Sequence, residues 1–178
     1  YQLGLIDNGH SWIGGVFDHH LLTGSRRARE VAVLASNAMA RRTPTRYTDH
    51  LRGIGWPLHM MMAAWDATGD QAYLSAATRQ WRRLRKHLDP KRGWVIKLAY
   101  GHCSEASDAG RCRGQNAYML ALTLSGVARY HKATRDPEVL TGLSAGIDQL
   151  IRECWNEKHA AFHLTSCRHN KHLVPQKQ

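Results

Sequence analysis

Three stretches of the 178-residue chain concentrate side chains able to hold or transform a ligand. Residues 1–10 carry Asp7 and His10. Residues 42–56 carry Tyr47, Asp49, His50, Arg52 and Trp56, and residues 90–116 carry Trp94, Tyr100, His102, Glu105, Asp108, Arg113, Gln115 and Asn116. Trp12 and His59 follow directly on the first two stretches. Imidazoles exchange protons near neutral pH, and guanidinium groups grip carboxylates through paired N–H donors. Mixed with aromatic rings, such groups suit a sugar, whose apolar face stacks on a ring while its hydroxyls and acids meet the polar groups. The expected binding set is Trp12, Tyr47, Asp49, Trp56, His59, Tyr100, Gln115 and Asn116. Each residue also has a plainer reading: a lone His near a helix start serves as a cap, and Trp12 and Trp56 serve as core.

Those stretches must be brought together by the segments between them. A recurring turn divides the chain: Thr23-Gly24-Ser25, Thr68-Gly69-Asp70 and Thr134-Arg135-Asp136-Pro137, with threonines 45 and 66 residues apart. Each turn follows one apolar helical pattern and precedes another. The pairs run over about 11–22 with a partner from 26, 57–67 with a partner from 71, and 116–133 with a partner from 137. Ser25, Asp70 and Asp136 are the expected N-caps, and Pro57 is expected in the first turn of its helix. Gly14 and Gly15 cost up to ~1 kcal/mol each within a helix, so a close neighbour is expected there. Short β excursions are expected at 93–100 and between Trp155 and Cys167.

The first helices of the second and third pairs are apolar nearly all round, as in Leu58, Met60, Met61, Met62, Ala63, Ala64 and Trp65. The second helices carry one apolar stripe, as in Val139, Leu140, Leu143, Ile147, Leu150 and Ile151. A helix apolar all round is buried on every side, so the first helices should form an inner layer and the second an outer one. The expected fold is therefore all-α: a single αα-hairpin domain over 1–178, a partial or complete (α/α) barrel with minor β excursions. The three polar stretches lead into the inner helices and should meet at one end, where His10, Arg52 and Arg113 would open onto a common cleft.

Twenty-five basic residues against 14 acidic ones give a formal charge of +11, which favours an acidic partner. No apolar run approaches the ~20 residues of a membrane span, so no membrane partner is expected. The run Arg79, Arg82, Arg83, Arg85 and Lys86 lies on an outer helix, where charge reads as a solvated face, and no nucleic-acid motif accompanies it. His19, His20 and His131 lie near the short turns and read as structural. The four cysteines make no CxxC. His102, Cys103 and Cys112 with Cys167, His169 and His172 allow a zinc site, and Cys103 with Cys112 a disulfide. Neither has a diagnostic spacing, so the expectation is plain thiols, no metal and no cofactor.

The run Gly9-His10-Ser11-Trp12-Ile13-Gly14-Gly15-Val16-Phe17-Asp18-His19-His20-Leu21-Leu22-Thr23-Gly24-Ser25 resembles the helix-and-turn motif of (α/α)-toroid carbohydrate-active enzymes. Among these it is most similar to exo-acting rhamnogalacturonan lyases and related bacterial proteins of polysaccharide breakdown. The likeness covers residues 10–40, and more loosely 53–88 and 115–154. His19-His20 stands where those hairpins commonly have a Tyr pair, and no catalytic residue transfers one to one. The resemblance implies cleavage of an acidic oligosaccharide or polysaccharide by β-elimination. Such a lyase neutralises a uronate carboxylate, removes the C5 proton and protonates the leaving oxygen. Arg52 or Arg113 would neutralise, His10, His50, His59 or His102 would act as base, and Tyr47 or Tyr100 as acid. The alternatives are a glycoside hydrolase, for which Asp7, Asp49, Glu105 and Asp108 are the available carboxylates, and a non-catalytic carbohydrate-binding scaffold. Three hairpins would not close a ring of six, so a second copy or the remainder of a larger chain is the expected neighbour.

Overall fold

The computed structural model describes residues 8–41, 51–98, 103, 112–167 and 169. Six helices account for most of them: α1 (Gly14–Thr23), α2 (Arg26–Arg41), α3 (Arg52–Thr68), α4 (Gln71–Leu84), α5 (Ala117–Thr134) and α6 (Pro137–Cys154). They pair in sequence as three hairpins, α1 with α2, α3 with α4 and α5 with α6. Among the described residues, three antiparallel pairs of two-residue strands accompany the helices. They are β1 (Leu88–Asp89) with β2 (Gly93–Trp94), β3 (Ile96–Lys97) with β4 (Arg113–Gly114), and β5 (Trp155–Asn156) with β6 (Ala161–Phe162). None of the described helices is long and apolar enough to cross a membrane.

The repeated turn is one structure built three times. The threonine hydroxyl donates to the carbonyl four residues back, at 2.6 Å to His19, 2.6 Å to Ala64 and 3.0 Å to Tyr130. The same hydroxyl accepts from the N–H two residues on, in Ser25, Asp70 and Asp136. Between them Gly24, Gly69 and Arg135 adopt left-handed backbone at φ 69°, 68° and 55°, closing each helix. Ser25 Oγ then accepts from Ala28, Asp70 from Ala72 and Asp136 from Glu138, so all three expected caps form. His20 Nδ1 and His131 Nδ1 lie 3.1 and 3.2 Å from the Ser25 and Asp136 carbonyls, which makes them turn braces. Arg135 holds without glycine a conformation that L-residues adopt at a cost. Arg135→Gly is expected to stabilise the fold by about 0.5–1 kcal/mol, raising the calorimetric melting midpoint by roughly 1–4 °C.

α3 and α5 form the buried heart of the molecule. Leu58, Met61, Met62, Ala64, Leu120 and Val127 are at most 1 % exposed. The contacts Gly55–Thr123, His59–Ser125 and Asp66–Arg129 advance in step, so the two helices run parallel. Their closeness needs glycine. A Cβ on Gly55 would lie 2.4 Å from Thr123 Oγ1, and one on Gly126 would lie 3.3 Å from the Gly55 carbonyl. α3 begins five residues before the expected Pro57 start, because Leu51 and Ile54 are buried along with Gly53 and Gly55. Pro57 is thus inside the helix, where burial of the preceding turn overrides its poor propensity.

α1 departs from the expected inner layer. Phe17 is its only buried residue, and Leu21 and Leu22 are 67 % and 85 % exposed. The close neighbour expected at Gly14 and Gly15 is absent too, since a Cβ on either would meet nothing within 4 Å. Trp94, expected among the mouth aromatics, is instead fully buried core. Its indole N–H donates to the Leu84 carbonyl at 3.0 Å. Its backbone is clamped by the buried Gln149, which accepts from Trp94 N at 2.8 Å and donates to Trp94 O at 2.9 Å. The clamp fixes β2 on α6.

Candidate functional site

Because α1 carries Gly14 and Gly15 where side chains would otherwise stand, a cleft of about 360 Å³ opens between α1, α3 and α5. Trp12, Asp18 and Leu21 line one side, Trp56, His59, Ala63 and Asp66 the other, and Arg129 reaches in from α5. Trp12 is 59 % exposed and rests on the half-buried Trp56, with ring centroids 5.1 Å apart and planes inclined at 39°. Trp12 is therefore no core residue, and its indole face is available to a ligand. His59 meets the same Trp56 edge-on at 5.9 Å.

A polar set stands beside the aromatic pair. Arg129 Nη2 donates to Asp66 Oδ2 at 2.6 Å, and its Nη1 lies 3.5 Å from His59 Nδ1. Ser125 Oγ lies 3.3 Å from His59 Nε2. Burial first, and the Arg129 charge second, hold the His59 pKa below the usual 6.5, against an opposing pull from Asp66. His59 is accordingly neutral at pH 7. Arg129 Nη1 points at Nδ1, and Ser125 Oγ faces Nε2.

The sequence-derived candidates divide as follows. Trp12, Trp56 and His59 come together in the cleft. His10 is exposed and lines a neighbouring cavity of about 300 Å³ with Ile13, Met39 and Met60. Arg52 stands half-buried in the first turn of α3, and Arg113 lies exposed on β4 with Nη2 3.4 Å from the Val95 carbonyl; neither lines these two cavities. Asn116 is the N-cap of α5, accepting from Met119 N at 3.3 Å. Gln115 is fully buried behind β4 and bonds Ser166 through its backbone. His50, His102, Tyr47, Asp49 and Tyr100 lie outside the described residues. Asp66, Ser125 and Arg129 were missed, because the reading looked to the segments preceding the helices rather than to positions within them. The available signal was spacing: His59 and Asp66, seven apart, share one face of α3, and Ser125 and Arg129, four apart, share one face of α5.

A second cluster lies near the start of α5. Cys103, Cys112, Cys167 and His169 bring three sulfurs and one ring nitrogen within 4.8 Å of one another. Cys112 and Cys167 sulfurs are 3.0 Å apart and Cys167 and Cys103 sulfurs 3.5 Å apart, beyond the ~2.05 Å of a disulfide. The alternative Cys103–Cys112 bridge is thus not formed. Burial, with the Cys167 and Cys103 sulfurs beside it, pushes the Cys112 thiol up to about 12.

Gly15→Leu separates the cleft from the fold. The new side chain enters open space and improves helix propensity, so stability should hold or rise by up to ~1 kcal/mol. Filling the cleft should weaken binding of any ligand seated there at least about tenfold, read by isothermal titration. Comparison of the chain with protein-family models, with curated proteins and with solved structures finds no match.

Proposed function

We propose that this chain is an αα-hairpin domain of the (α/α)-toroid kind whose inner cleft binds an acidic glycan and cleaves it by β-elimination. The lining supports the architecture: every residue of the cleft lies on or just before α1, α3 or α5, the first helices of the three hairpins. The chemistry rests above all on His59, a neutral half-buried imidazole held at the edge of a tilted tryptophan pair and beside a guanidinium. A sugar ring stacked on Trp12 would present its carboxylate to the free edge of Arg129, which lowers the barrier to forming a carbanion at C5. His59 takes the C5 proton, the C4=C5 double bond forms and the C4–O4 bond breaks. The same imidazolium returns the proton to the leaving oxygen. Its contacts of 3.3 and 3.5 Å are long enough to be exchanged for a substrate. The formal charge of +11 would steer an anionic polymer to the protein.

A hydrolase is the second reading, favoured by two carboxylates, Asp18 and Asp66, on the cleft wall. A fourth hairpin or a second copy would cover Leu21, Leu22 and Leu34, each at least 67 % exposed. Digestion of uronate-containing polymers tests the proposal. Ultraviolet absorbance from the new C4=C5 bond is expected. New reducing ends without it mark hydrolysis, and binding without either product marks a carbohydrate-binding scaffold.

A further inference from the structure

We infer that Cys103, Cys112, Cys167 and His169 form a structural zinc site, in which three sulfurs and His169 Nδ1 bind one Zn²⁺. The spacing Cys103-x8-Cys112 followed far downstream by Cys167-x-His169 matches no familiar motif, and it is the fold that assembles the set. Tetrahedral zinc with Zn–S near 2.3 Å and Zn–N near 2.0 Å places its ligand atoms about 3.5–3.8 Å apart. Here Nδ1 lies 3.3 Å from Cys103 Sγ, 3.5 Å from Cys167 Sγ and 3.9 Å from Cys112 Sγ. With sulfur separations of 3.0 and 3.5 Å, five edges of the tetrahedron come within about 0.8 Å of that geometry without moving the backbone. Borderline-soft Zn²⁺ suits a thiolate-rich set with one imidazole, whereas Mg²⁺ and Ca²⁺ need oxygen. Cys103 and Cys167 are buried, packed with Leu98 and Cys112 in a small core of their own. Four protein ligands leave no open position, which marks a structural rather than a catalytic ion.

The ion would join three segments at one point. Cys103 follows β3, and Cys112 precedes β4 and accepts from Leu98 N through its carbonyl at 2.9 Å. Cys167 and His169 belong to the strap that crosses the start of α5. There Ala117 N donates to Leu164 O at 3.0 Å, Ser166 N to Gln115 O at 2.8 Å, and Asn116 bridges Thr165. Zinc would therefore lock the strap over the N-terminus of α5.

The test is metal analysis and X-ray absorption on the whole chain, produced with zinc and no chelator. About one Zn²⁺ per chain is expected, with three sulfurs and one nitrogen around it. Cys167→Ser should lose the metal, while Cys154→Ser, at the C-terminal end of α6 and outside the cluster, should keep it. Should Cys167→Ser not fold, the wild-type chain provides a second readout: zinc should protect three of the four cysteines from alkylation in the folded state, and chelation should expose them. Folded wild-type protein that binds no zinc at excess, a metal retained by Cys167→Ser, or alkylation indifferent to zinc would each overturn the site.

Discussion

His59→Gln is expected to lower kcat/KM on a uronate polymer by about 10²–10⁴-fold while changing the dissociation constant for oligosaccharide only a few-fold. Glutamine keeps a polar group near Ser125 and Arg129 but cannot take a proton from carbon. The pH profile carries the sign. A base must be neutral, so activity is fully present above the folded-state pKa of His59 and falls as pH drops through it. Burial and Arg129 hold that pKa below 6.5, so activity should persist at pH 6.5 and decline only below it. The same depression makes the folded chain bind fewer protons than the unfolded one at mildly acid pH, so stability should also fall as pH drops through 6.5. A profile with half its activity lost above pH 7 would assign the base to another group.

Gln149→Leu should be the most damaging single substitution away from the cleft. It removes both side-chain partners of the Trp94 backbone, whose N–H and C=O belong to a fully buried residue. Leaving two buried backbone groups unpaired costs about 2–5 kcal/mol. Denaturant titration should show that loss, and the melting midpoint should drop roughly 5–15 °C. Gln149→Glu should be at least as damaging, since its carboxylate cannot donate to Trp94 O and would be buried beside Glu153. A Gln149→Leu protein as stable as wild type would show that the clamp contributes nothing.

Local chemistry was legible in the residues. Threonine, a left-handed residue and a Ser or Asp cap specify a helix-turn-helix within a few positions, and all three copies formed with the same hydrogen bonds. The all-apolar patterns of α3 and α5 correctly marked the most buried helices. What failed was decided by partners distant in sequence. Gly14 and Gly15 read as a close contact, but in the fold their missing side chains create a cleft; the close contacts fall at Gly55 and Gly126. Trp94 read as a mouth aromatic because the groups that hold it in the core, the Leu84 carbonyl and Gln149, lie 10 and 55 residues away. Arg129 and Asp66 drew no reading because each lies well inside a helix, away from the polar segments that lead into it. The Cys/His cluster joins residues 64 positions apart, so no spacing rule could announce it.

Acidic-sugar binding in the Trp12–Trp56–His59–Arg129 cleft can be read by tryptophan fluorescence titrated with a uronate oligosaccharide, beside duplex DNA at matched salt. Tighter binding of the sugar, lost in Trp12→Ala, is expected; preference for DNA, or sugar binding untouched by Trp12→Ala, would rule it out.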